Sequence, residues 1–150
     1  MKGYPGWFRP SLIGMSLGLY LSGCLLAPTT LQLRAVWSVG WRLGAGARVG
    51  VVALHAALAL LAMLFVGALW SVHMRSGWRR RRSKASGLLL ALATLLLALT
   101  GLGIYYLADE QWANVAAFVH LVAGLALLVP FVWHVAAGQR LRRRHRWPDS

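Results

Sequence analysis

The sequence predicts an all-α integral membrane protein, a four-helix bundle with both termini in the cytoplasm. Three observations lead there. Of the 150 residues 59% are hydrophobic, yet the formal charge is +13, and the two kinds of residue are segregated along the chain. Four stretches, 10–33, 49–74, 85–108 and 111–139, contain no Asp, Glu, Lys or Arg. Each is longer than the roughly 20 residues that a helix needs to cross a bilayer. These runs show no strict apolar–polar alternation, so helices rather than barrel strands are expected to satisfy the backbone in lipid.

The first span is expected at about 11–27, after Lys2 and Arg9. Inside it, "LSGC" (21–24) resembles a bacterial lipoprotein signal, which would be cut before Cys24. The alternative is an uncleaved helix, because small residues such as Ser22 and Gly23 are common in membrane helices. Cys24 is the one cysteine, which excludes an internal disulfide and any four-Cys iron–sulfur or zinc site. The connection 28–48 places Leu33, Val36, Trp37 and Trp41 at helical spacing, so a short helix lying on the outer surface is expected there, with a plain loop as the alternative.

The second and third spans are expected at about 49–73 and 86–107, joined by the basic loop "RSGWRRRRSK" (75–84). The fourth, about 113–137, follows the short "DEQW" turn and leads into the tail "QRLRRRHRWPDS". Six cations in the loop, five in the tail, and Lys2 and Arg9 put 13 of 16 on one side. Arg34, Arg42 and Arg48 fall on the other, with Asp109 and Glu110. The positive-inside rule then orients the protein, read as a multi-pass protein of the bacterial inner membrane. The basic runs are read as topology signals and headgroup contacts. Nucleic acid is not an expected partner, since no soluble domain presents the charge. Trp7, Trp37, Trp41, Trp78, Trp112 and Trp147 fall near predicted interfaces, where indoles settle.

Ionisable residues inside membrane helices are costly and mark functional sites. Four of five histidines fall within or at the ends of spans: His55, His73, His120 and His134; His145 lies in the basic tail. "HLVAGLALLVPFVWH" (120–134) spaces two of them fourteen residues apart. That is about 21 Å of rise and four turns less about 40°, so both rings share one helix face. His55 and His73 are eighteen apart, five turns on a straight helix and also one face. Helices 1–2 and 3–4 read as two copies of one hairpin, so helices 2 and 4 run in the same direction. Measured from the centres of their charge-free runs, His55 and His120 differ in depth by about 2 Å, and His73 and His134 by about 4 Å. A kink near Pro130 and helix tilt would absorb such differences.

Haem iron accepts axial imidazole, and sites of this kind are built inside helix bundles. An outer haem on His55 and His120 and an inner one on His73 and His134 are therefore expected, each six-coordinate and suited to electron transfer. Gly14, Gly18, Gly67, Gly101, Gly103 and Gly124 offer either room for a porphyrin or close helix packing. Arg42 or Arg48 outside, and Arg75, Arg79 or Arg140 inside, would partner propionates. Two other readings of the histidines remain: interhelical hydrogen bonding in a non-redox accessory or assembly protein, and bacteriochlorophyll ligation.

The stretch 120–134 resembles the His-x3-Gly-x9-His pattern of small membrane cytochromes b. The four-span layout is similar to the gamma subunits of formate dehydrogenases and the b subunits of nickel–iron hydrogenases. The resemblance implies that His120 and His134 are axial ligands, with Gly124 beside a porphyrin. Helix 2 has Leu69 fourteen residues after His55, and His73 eighteen after it; helix 1 has no His. The implied function is electron transfer between a redox protein or catalytic subunit on the outer face and membrane quinone. One or two haem b groups would be the cofactors. Gln111 and Asn114 on the outside, and the basic region near His134 inside, are the candidate quinone contacts.

Overall fold

The computed structural model describes residues 4–35, 37–70 and 84–144. These form α1 (Phe8–Arg34), α2 (Ala45–Leu69), α3 (Lys84–Tyr106), α4 (Glu110–Ala126) and α5 (Leu128–Arg144), with no strand among the described residues. Four helices are long and apolar enough to cross a membrane: α1, α2, Ala85–Tyr106 within α3, and Glu110–Ala137, which runs through α4 into α5. The apolar composition of the spans leaves large side chains such as Leu54, Leu60, Leu64, Leu99 and Val129 facing outward. In a soluble protein such a surface would aggregate; around a membrane bundle it is the lipid-facing coat.

The packing is antiparallel at each sequential step. Phe8 at the start of α1 lies 5.0 Å from Phe65 near the end of α2, ring centre to ring centre, and the Tyr4 hydroxyl donates to Ala68 O at 3.2 Å. Arg34 at the end of α1 donates to Asn114 Oδ1 in the second turn of α4 at 2.6 Å. An added Cβ at Gly103 would lie 3.1 Å from Ala116, and one at Gly124 would lie 3.8 Å from Leu97, so α3 and α4 also run in opposite directions. It follows that α2 and α4 are parallel, as the hairpin repeat predicts. The extended contacts are α1 with α2, α1 with α4, α3 with α4 and with α5, and α4 with α5. Among the described residues, α2 packs extensively on α1 alone.

Apart from Phe8, the buried residues among those described are small, with Ala113, Ala116 and Ala117 on α4 and Ser22, Thr29 and Ser86 on α1 and α3. Small side chains let backbones approach where lipid provides no hydrophobic drive between helices.

Two local features differ from the sequence expectation, and a third, the break near Pro130, agrees with it. α1 continues through Pro28 to Arg34, and residues 37–44 are not helical, so the short surface helix is not formed. Leu33 belongs to α1, and Gly40 and Gly44 interrupt any helix beyond it, glycine being a poor helix former. The fourth span begins at Glu110, because Asp109 caps it by accepting from Trp112 N at 3.0 Å. That span is interrupted at Leu127, three residues before Pro130. Proline has no N–H for Ala126 O and its ring crowds that carbonyl. The ladder resumes at once, with Leu127 N bonded to Ala123 O at 2.9 Å and Phe131 N to Leu127 O at 3.1 Å.

The candidate imidazole pair

The rings of His55 and His120 lie 6.2 Å apart, centre to centre, with their planes at 75°. One comes from α2 and the other from α4, the two parallel helices that share no extended packing. Each ring is held from behind by the helix that precedes its own. Ser22 Oγ on α1 is 2.9 Å from His55 Nδ1. Thr100 Oγ1 on α3 is 3.1 Å from His120 Nδ1, and Leu97 O is also 3.1 Å from that nitrogen.

These contacts fix the tautomers. Ser22 gives its one hydroxyl proton to Leu19 O at 3.0 Å, and Thr100 gives its own to Leu96 O at 2.7 Å. Each hydroxyl therefore has only lone pairs left for the imidazole. Leu97 O can do nothing but accept. The proton sits on Nδ1 of His120, and the same tautomer follows at His55 with Ser22 donating to Leu19 O, so Nε2 carries the lone pair. Neither Nε2 has a hydrogen-bond partner among the described residues. The two rings cannot bond each other, since neither has a proton to offer from that nitrogen.

A Lewis acid between them would use both lone pairs. With metal–nitrogen bonds of about 2 Å and a ring nitrogen about 1.1 Å from its own ring centre, two imidazoles on opposite sides of one ion have centres about 6.2 Å apart. Among the described residues there is no group of three or more His, Cys, Asp or Glu able to hold an ion. A bare zinc site wants four protein ligands or three plus water. Two neutral imidazoles suit instead a metal that arrives with its equatorial donors already in place, as haem iron does. The donor set and spacing fit that group.

Glycines complete the backing of each ring. An added Cβ at Gly23 would lie 3.3 Å from His55 Cε1, and one at Gly101 would lie 3.4 Å from His120 Cε1. The same pattern occurs a third time. Ser86 Oγ is 3.1 Å from His134 Nδ1, and an added Cβ at Gly87 would lie 3.7 Å from His134 Cε1. Ser86 and Thr100 are fourteen residues apart on α3, as His120 and His134 are on α4 and α5. Two antiparallel helices with matching intervals bring both pairs into register.

The other sequence candidates fall as follows. His73 and His145, the basic loop, Trp78 and Trp147 lie outside the described residues. Gly124 turns toward Leu97 of α3, at ordinary contact distance. Nothing comes within 4 Å of a Cβ added at Gly14 or Gly67, whereas one at Gly18 would press on Leu58 at 3.2 Å. The residues not foreseen in a ring-holding role are Ser22, Gly23, Ser86, Gly87 and Thr100. Their signal is a hydroxyl residue followed by glycine, once in α1 and twice in α3. Comparison with protein-family models, with curated proteins and with solved structures finds no match for this chain.

Proposed function

We propose that this chain is a b-type cytochrome of the membrane. It passes electrons between a redox protein or catalytic subunit, at the face bearing the 35–44 connection, and the quinone pool. The observation that carries the reading is the pair His55 and His120, two imidazoles 6.2 Å apart, centre to centre, from parallel helices, which would hold a haem iron between them. Haem b, when bound, supplies a one-electron ferric/ferrous couple. The chain's own part would be to hold the iron through His55 and His120, an arrangement suited to electron transfer. The hydroxyls of Ser22 and Thr100 fix the ring orientation, and the small-residue seams of α1, α3 and α4 keep water from the rings. Attachment is non-covalent, because a chain with one cysteine has no Cys-x-x-Cys-His motif.

A second haem at the opposite end would use His134, backed by Ser86, together with His73. Asn114, bonded to Arg34, and Gln111 lie at the end of the bundle where a quinone would meet the outer haem. The charge distribution of the sequence supports cytoplasmic termini in a bacterial inner membrane.

An optical spectrum of detergent-purified protein from haem-replete cells tests the reading. A Soret band with a sharp alpha band on dithionite reduction is expected. A colourless preparation overturns it, and a near-infrared band would assign bacteriochlorophyll instead. Reporter fusions at Ser150 and Lys84 should be active only as cytoplasmic reporters, and one within 37–44 only as an outside reporter.

A further inference from the structure

We propose that Ser22–Gly23 and Thr100–Gly101 are the positioning residues of the iron site. In each dipeptide the hydroxyl holds Nδ1–H, and the glycine makes room for Cε1. The inference rests on the haem reading and adds what sets the ligand strength of each imidazole.

The geometry is the same at both rings although the residues are far apart in sequence. The hydroxyl donates to a carbonyl of its own helix, at 3.0 Å for Ser22 and 2.7 Å for Thr100. It accepts from the imidazole of the next helix, at 2.9 and 3.1 Å. A hydroxyl polarised in this way has its lone pairs turned to the ring and its proton removed from competition. A hydrogen bond accepted from Nδ1–H pushes electron density toward Nε2 and makes it a more basic ligand. A more basic axial nitrogen favours ferric over ferrous iron, so it lowers the reduction potential. The following glycine is needed because the ring edge lies where a side chain would start, at 3.3 and 3.4 Å from an added Cβ. A Cβ at Gly23 would need His55 Cε1 to give by a few tenths of an ångström and one at Gly101 would just touch His120 Cε1, so a longer side chain is what would displace either ring.

Each ring also has a backbone carbonyl of the same neighbouring helix beside it, Leu97 O at 3.1 Å from His120 Nδ1 and the Leu19 carbonyl at His55. In Thr100→Val the volume is kept and a carbonyl acceptor stays in place.

The test compares Ser22→Ala, Thr100→Val and Thr100→Ser with the unsubstituted haem-loaded chain, by potentiometric titration of the alpha band and by haem titration. Ser22→Ala should bind haem on the order of 10- to 100-fold more weakly, the usual cost of losing a partner of a metal-bound histidine. Its midpoint potential should rise. Thr100→Val should move the same way, and Thr100→Ser should match the unsubstituted protein in both measurements. Unchanged potential and affinity in Ser22→Ala and Thr100→Val overturn the inference while leaving the haem reading intact. If those variants do not give a monodisperse detergent complex, the ring nitrogens of the haem-free unsubstituted chain decide the matter by 15N NMR. Neutral imidazoles protonated at Nδ1 are expected for His55 and His120, and protonation at Nε2 instead overturns the inference. If the unsubstituted protein takes up no haem, the haem reading itself has failed, and the NMR result still tests the positioning geometry.

Discussion

Ser86 stands to His134 as Thr100 stands to His120. In both pairs the hydroxyl oxygen of α3 lies 3.1 Å from Nδ1 of the histidine. The rings are separated by fourteen residues along α4 and α5, and the hydroxyls by fourteen along α3, about 21 Å in each case. That distance is too long for one metal ion to join His120 and His134. It is suitable for two separate centres near opposite ends of the bundle.

His134→Ala is therefore expected to remove one haem from a two-haem protein and leave the His55–His120 centre. His120→Ala should remove the other, because alanine offers iron no ligand in an apolar site. Haem counted per chain by pyridine haemochrome measures both. Equal haem content in His134→Ala and the unsubstituted chain would mean that His134 is only a hydrogen-bonded helix contact. His73→Ala, read by the same assay, reports whether the second centre draws its other ligand from His73.

The glycines divide by what lies beside them. Gly23→Leu and Gly101→Leu should each cost about 1–3 kcal/mol of overpacking and should sharply reduce haem binding, because the new side chain starts 3.3 or 3.4 Å from an imidazole edge. Gly14→Ala and Gly67→Ala meet nothing within 4 Å, and both should keep full haem content. Thermal stability in detergent and the Soret-to-protein absorbance ratio separate the two classes.

Thr29 makes a different case. Its hydroxyl is buried and has no hydrogen-bond partner among the described residues, whereas Ser16 and Thr30 on the same helix donate to Leu12 O and Leu26 O. A buried hydroxyl without a partner costs about 1–3 kcal/mol. Thr29→Val keeps the shape and removes that cost, so it should leave the protein equally stable or more stable on heating. A clear loss of stability would show that the hydroxyl is bonded in the membrane, to water or to a ligand.

The spans were legible because a bilayer demands about 20 apolar residues, and the charges mark where each run stops. The common level of His55 and His120 follows from the same arithmetic, since helical rise per residue is fixed. The partners of Nδ1 were not legible from one helix at a time. Ser22 and Gly23 read as a lipoprotein-like "LSGC" or as ordinary small residues, because nothing in α1 alone says that a histidine of α2 packs there. Ser86 and Thr100 needed α3 to be read backwards against the histidines of the fourth span. The helix boundary past Pro28 was missed because proline weakens a helix without always ending it.

Pro130 separates the two levels of the fourth span. It lies between His120 and His134, and the break at Leu127 divides α4 from α5. The proline removes one backbone bond and crowds Ala126 O, at about 3 kcal/mol in a regular helix interior. The break falls where α4 gives way to α5, which packs on α3. Pro130→Ala restores the missing N–H, so the fourth span should straighten and its helicity rise slightly by circular dichroism. His120 lies before the break, so a centre on His55 and His120 should keep its midpoint potential. His134 lies after it, and straightening moves its ring relative to Ser86, so the second centre should lose haem or shift in potential. If both centres respond equally, the bend is not a local device of the second site. If neither responds, packing of α5 against α3, and not the proline, sets where His134 sits.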